Sequence, residues 1–142
     1  MICALVTGLA AAGVLLAWAR SRWLVVTVDG ISMQPAYAPG DRLLVRRTDL
    51  WSIRRGQVVV VAATGLVDVD MLVKRVAALP GDPVPPDVPV PGVPERAPVV
   101  PADHFVVLGD NVAASHDSRA LGCIPARALV GVVLRPMSSA VG

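Results

Sequence analysis

The chain has 142 residues, 54% of them hydrophobic, and a formal net charge of +2. That length holds one domain of ordinary size and one apolar segment, and leaves two independent domains cramped. The arginines are scattered rather than run together, which excludes nucleic acid as a partner, and Cys3 and Cys123 offer neither a disulfide framework nor a metal-ligand spacing.

Residues 2–19 carry no charge and reach the lower length limit of a membrane-spanning helix. Trp18 and Trp23 flank the end of this run, where interfacial aromatics sit. We therefore expect residues 1–22 to be a single-pass anchor in a lipid bilayer and residues 23–142 to be the working domain. A cleaved signal peptide competes, because Ala17-Trp18-Ala19 has the small-x-small form of a cleavage site, but no basic residue precedes the apolar run. Arg20 and Arg22 follow it, so charge alone would keep the remainder in the cytoplasm.

From Trp23 the pattern changes to short β-like runs with turn punctuation. Strands are expected at 23–28, ended by Asp29-Gly30, and at 42–46, after the turn Pro39-Gly40-Asp41. The valine-rich run 57–63 reads as a strand buried on both faces. Residues 64–70 turn into a strand over 71–78, which stops at Pro80-Gly81-Asp82. Nine prolines between 80 and 101 deny that segment a regular ladder and make it a surface loop. Strand resumes at 104–108, a long polar loop covers 109–122, and 129–134 closes the domain. Helix signals are nearly absent after Ala19, so the fold class is mostly β and antiparallel.

The chemistry centres on Ser32, in Gly30-Ile31-Ser32-Met33-Gln34-Pro35. It is not in a G-x-S-x-G elbow, which disfavours an α/β-hydrolase, and it needs a base from among His104, His116 and Lys74. His116 and Asp117 are sequence neighbours, whose side chains point apart in an extended chain, so they do not make a triad pair by adjacency. Lys74 stands out because twelve of the thirteen basic residues are arginine and it is the sole lysine. Alternation places it on the strand face of Leu72 and Val76, with Arg75 and Val73 on the other. An ammonium among apolar side chains loses its proton more easily, and a neutral amine can take the serine proton. The alternative is a lysine whose stem lies on the sheet while its head reaches water.

Four blocks in order carry a resemblance: Ser32-Met33-Gln34-Pro35; Pro39-Gly40-Asp41; Lys74-Arg75-Val76 leading to Pro80-Gly81-Asp82; and Gly109-Asp110-Asn111 leading to Ser115-His116-Asp117-Ser118-Arg119. Together they resemble the type I signal peptidases, membrane-bound Ser-Lys proteases that include mitochondrial inner-membrane peptidases. The resemblance implies a compact antiparallel half-barrel, with Ser32 as nucleophile, Lys74 as general base and Ser115 as the hydroxyl orienting the lysine. It makes Arg75, Asp110, Asn111, Asp117 and Arg119 structural residues beside the site. The substrate would lie as an extended strand against Val28, Gly30, Met33, Tyr37, Leu72 and Val73, and would be cut after small residues in an A-x-A pattern. Gly30 stands where some members carry a serine that gives a second oxyanion donor, and Ala36 and Ala78 replace the usual threonine and glycine.

The expectation is a membrane-bound serine endopeptidase that removes signal or leader peptides from exported preproteins, with no cofactor or metal. Its domain would face outside the cytoplasm, as the family's does, against the arginine bias. A dedicated maturation protease for one partner and a catalytically silent membrane scaffold are the alternatives. A self-cleaving repressor would need a DNA-binding domain where the apolar segment stands.

Overall fold

The computed structural model describes residues 2–63, 71–96 and 98–137, with side chains from residue 6 onward. Helix α1 (Ile2–Arg22) passes directly into β1 (Trp23–Thr27), where the run Val25-Val26-Thr27 favours extended backbone. There follow β2 (Arg42–Arg47), β3 (Val58–Ala62), β4 (Met71–Ala78), β5 (His104–Leu108), the one-turn helix α2 (Ser118–Leu121), β6 (Ile124–Pro125) and β7 (Leu129–Met137). They form one sheet in the order β1-β2-β7-β3-β4-β5-β6, and each pairing is antiparallel. The fold is mostly β and the sheet curls as a half-barrel. Register shifts at Leu44/Val45, Val60/Val61 and Val76/Ala78 mark bulges, which bend strands locally.

Both faces of the sheet are covered, which explains why all four valines of β3 are buried. On one face Val59, Val61 and Val76 pack with Phe105, Val107 and Ile124 under Leu50 and Ile53 of the β2–β3 connection. On the other, Val58 and Val60 pack with Leu43, Val45 and Val133. Val28 and Met33 plug into this second cluster and pin the β1–β2 connection, which carries Ser32, against the sheet. Backbone bonds from Val28 N to Asp41 O (2.8 Å) and Gly40 N to Val28 O (2.7 Å) close its neck.

Several boundaries differ from the sequence expectation. The first strand ends at Thr27, the second extends to Arg47, the third spans Val58–Ala62 and the last continues to Met137. The two-residue β6 was too short to leave a pattern. The polar stretch 109–122 contains α2, because the Asp117 carboxylate caps it by accepting from Arg119 N. The proline-rich stretch is exposed at most of its prolines but folds back on the sheet. Prolines cannot donate, yet the valines between them can: Val84 N bonds Pro98 O and Val100 N bonds Asp82 O, both at 2.9 Å. Val84 and Val100 are thereby buried against Ala78 and Val106. The turn expected at 64–70, the Cys3 side chain and residues 138–142 lie outside the described residues. Among the described residues no helix is long and apolar enough to cross a membrane, so the structure does not show the single-pass anchor expected at residues 1–22.

Candidate active site

Ser32 sits half-buried at the tip of the connection anchored by Val28 and Met33. Local bonds from Gln34 N to Ile31 O (3.1 Å) and Tyr37 N to Met33 O (3.0 Å) fold the chain around it. Lys74 lies on β4, opposite Val59 of β3, and only 2% of it is exposed. Its Nζ is 2.7 Å from Ser32 Oγ, although the two residues are 42 apart in sequence. Burial lowers the Lys74 pKa from its ordinary value, and the carboxylate of Asp117 opposes that shift. The backbone N–H of Ser32 has no hydrogen-bond partner among the described residues. The two histidines are elsewhere: His104 Nδ1 is 2.8 Å from Ala102 O, and His116 is exposed.

The polar stretch after β5 forms the floor. Asp117 is fully buried and takes bonds from Arg119 Nε (2.9 Å) and a second guanidinium nitrogen (2.6 Å), from Gly109 N (2.8 Å) and from Ser115 Oγ (2.8 Å). Burial alone would raise its pKa, but Arg119 and then Gly109 and Ser115 outweigh it and hold the group at about 2. Ser115, expected to orient the lysine, turns its hydroxyl to Asp117 instead. Among the described residues no hydrogen bond joins Ser115 to Lys74, and the link to the amine runs through the Asp117 charge. The buried carboxylate is the strongest acceptor within reach of that hydroxyl, which is the physical reason for the difference. Ser118 Oγ meanwhile accepts from Val107 N (2.9 Å), tying α2 to β5.

A second clamp lies on the opposite face of β4. Arg75 grips Asp110 through Nε (2.8 Å) and a terminal nitrogen (2.6 Å), and its other terminal nitrogen donates to Gly56 O (2.8 Å). The Asp110 bond raises the Arg75 pKa further. Asn111 closes the gap between the floor and the serine segment, its N donating to Ser32 O (2.9 Å) and its Nδ2 to Ile31 O (3.1 Å). Arg75, Asp110 and Asn111 therefore connect β4, the polar stretch and the serine segment, while Asp117 and Arg119 brace the polar stretch from within.

A cleft opens beside the Ser32–Lys74 pair, and Val28, Gly30, Met33, Leu72 and Val73 line it. Tyr37 does not: it packs against the cluster that holds Leu43, Val45 and Met33. Sequence reasoning missed Val26, Thr27, Asp29 and Met71 as lining residues. Val26 and Thr27 precede the serine block, so only the fold brings them to the cleft. The walls are strand edges. Among the described residues β1 ends the sheet, and residues 71–74 of β4 pair only with β3, since β5 pairs β4 from Arg75 onward. Among the described residues no cluster of His, Cys, Asp and Glu could hold a metal ion.

Comparisons with known proteins show the family. The family model described as "Signal peptidase, peptidase S26" matches residues 1–87 and 89–137. A protein of Synechocystis sp. named "Probable signal peptidase I-2" is 31% identical over 126 residues, covering 73% of this chain. The chain spans 58% of that relative's length. On this match and on the order of its serine, lysine and polar blocks, the chain belongs to the signal peptidase family, peptidase S26.

Proposed function

We propose that the chain is a membrane-associated serine endopeptidase that removes signal or leader peptides from preproteins after small residues. The observation that carries this reading is the 2.7 Å approach of the buried Lys74 amine to Ser32 Oγ. In the proposed reaction the neutral amine takes the Ser32 hydroxyl proton as Oγ bonds to the scissile carbonyl carbon. The free Ser32 N–H donates to the oxyanion. Lys74 then returns the proton to the departing amine. Its freed amine next takes a proton from a water whose oxygen bonds to the acyl carbon, and it passes that proton to Ser32 Oγ as the ester C–O bond breaks. The open edges of β1 and of residues 71–74 suit an extended substrate strand, whose small side chains would enter the apolar cleft.

Counted from Ile2, α1 has 21 residues, and 2–19 carry no charge. We read it as the anchor, with the β domain on the extracytoplasmic side, where exported precursors emerge. Protease shaving of spheroplasts tests the topology: the domain should be degraded from outside without lysis.

Cleavage of a preprotein with an A-x-A site tests the reaction. Wild type should cut after the second alanine, whereas Ser32→Ala and Lys74→Arg should each lose at least about a thousandfold in rate. Arginine keeps the charge but cannot serve as base. A Lys74→Arg chain with near-normal activity would overturn the mechanism, and a wild type inert on several such precursors would overturn the substrate class.

A further inference from the structure

The place where α1 meets the sheet gathers charge that the catalytic reading does not use. Arg20 and Arg22 end the helix, and Trp23, the first residue of β1, pairs directly with Arg46 of β2. Paired residues lie about 5 Å apart and share a face, so Arg46 stands next to the helix end, and Arg47 follows it on the other face of the strand. All four arginines are exposed, and none takes part in an ion pair among the described residues. Asp49, the nearest acid in sequence, is turned to the Ser52 amide at 3.0 Å. Two aromatics complete the surface: Trp18 is 56% exposed with Arg22 over its ring, and Trp23 is 38% exposed.

We propose that Arg20, Arg22, Arg46 and Arg47, with Trp18 and Trp23, form a docking surface for the anionic headgroups of the bilayer that holds α1. This rests on the reading of α1 as membrane-held and extends it to the sheet. The occupant follows from the chemistry. Four unpaired guanidiniums suit phosphate-bearing headgroups, indole rings settle at the headgroup level, and both continue an apolar helix. Arg46 and Arg47 are 24 or more residues from α1 in sequence, and only the β1–β2 register brings them to it. The consequence is that anionic lipid would hold the start of β1 against the membrane. β1 walls the cleft at Val26 and Thr27, so the cleft would sit at a fixed height above the bilayer.

The test uses the full chain carrying Trp18→Phe and Trp51→Phe, so that Trp23 is its single tryptophan, reconstituted in nanodiscs of phosphatidylcholine alone or mixed with phosphatidylglycerol. Acrylamide quenching of Trp23 should fall at least about twofold in the mixed discs and recover in high salt. Arg46→Gln with Arg47→Gln should abolish that lipid response, while Arg54→Gln with Arg55→Gln should keep it. Equal quenching in both lipids, equal loss in both double variants, or a chain that associates with neither disc would each overturn the proposal. Precursor cleavage in detergent is measured on the same proteins. The arginine variants should cut at the wild-type rate, and loss of cleavage by the unsubstituted chain would instead count against the peptidase reading.

Discussion

Lys74 is charged in the unfolded chain and buried in the folded one, so the fold works against its own ammonium. Its folded pKa lies below the ordinary 10.5, so folding releases a proton between those two values. The contribution is fully present above 10.5 and is lost as pH falls through the folded pKa. Lys74→Met should therefore abolish cleavage yet raise Tm at neutral pH, and thermal melts of the two chains across pH check it. Cleavage by wild type should rise with pH through the same lowered pKa and level off above it. Asp117 sets where that limb falls, because its charge favours the ammonium. Asp117→Asn should move the limb to lower pH, read from kcat against pH. For stability the sign is that of a depressed carboxylate: moving from 3.8 to about 2, Asp117 contributes about 2 kcal/mol above pH 4, lost as pH falls toward 2. Acid titration of wild type against the Asn variant reads that difference. Lys74 was legible in the sequence because a sole lysine on an apolar strand face is a visible anomaly. Asp117 was legible as a structural residue, but not as the group that engages Ser115, because its complete burial arises from α2 folding back onto β5.

Strands β4 and β5 were legible to the residue because apolar alternation stops sharply at Pro80 and at Gly109. β7 outran its expected end because Arg135 and Pro136 look like a terminus, whereas pairing with Leu44 and Leu43 of β2 carries the strand on. The close approach between elements at Gly109 could not be read from the chain. A Cβ there would collide with the Ser115 side chain and come within 2.8 Å of Ser32 O, so the chain leaving β5 passes directly beneath the serine segment. Gly109→Ala should push that segment off Lys74, lowering kcat by about a hundredfold or more while the sheet stays folded. Circular dichroism beside precursor cleavage separates the two effects. Gly30 is the opposite case, since an added Cβ meets nothing within 4 Å. Beside the free Ser32 N–H, Gly30→Ser puts a hydroxyl at the cleft wall. It should raise kcat by up to about a hundredfold with KM little changed, the signature of a group that bonds the oxyanion alone.

The whole molecule divides into a helix that contributes almost nothing to the core and a sheet domain that holds all of it. Among the described side chains of α1 only Ala19 is even half-buried, and the helix meets the sheet chiefly at β1 and β2. The three buried clusters draw their members from residue 24 onward. The division was legible in the sequence as the change from a charge-free run to β patterning at Trp23. The side of the proposed membrane was not, because Arg20 and Arg22 carry a charge bias but no contact that fixes orientation. A chain lacking residues 1–22 should therefore fold. Its Tm should stay within about 4 °C of the full chain's, since helix removal deletes little buried area and about 1 kcal/mol shifts a domain of this size by that much. The Ser32–Lys74 pair and its floor remain whole, so cleavage of a soluble A-x-A peptide should continue at a similar kcat/KM. Cleavage of a precursor embedded in vesicles should fall at least about tenfold, because enzyme and substrate no longer share the surface that concentrates them. Equal losses on both substrates would mean that α1 shapes the site, and no loss on either would mean that membrane attachment has no part in the reaction.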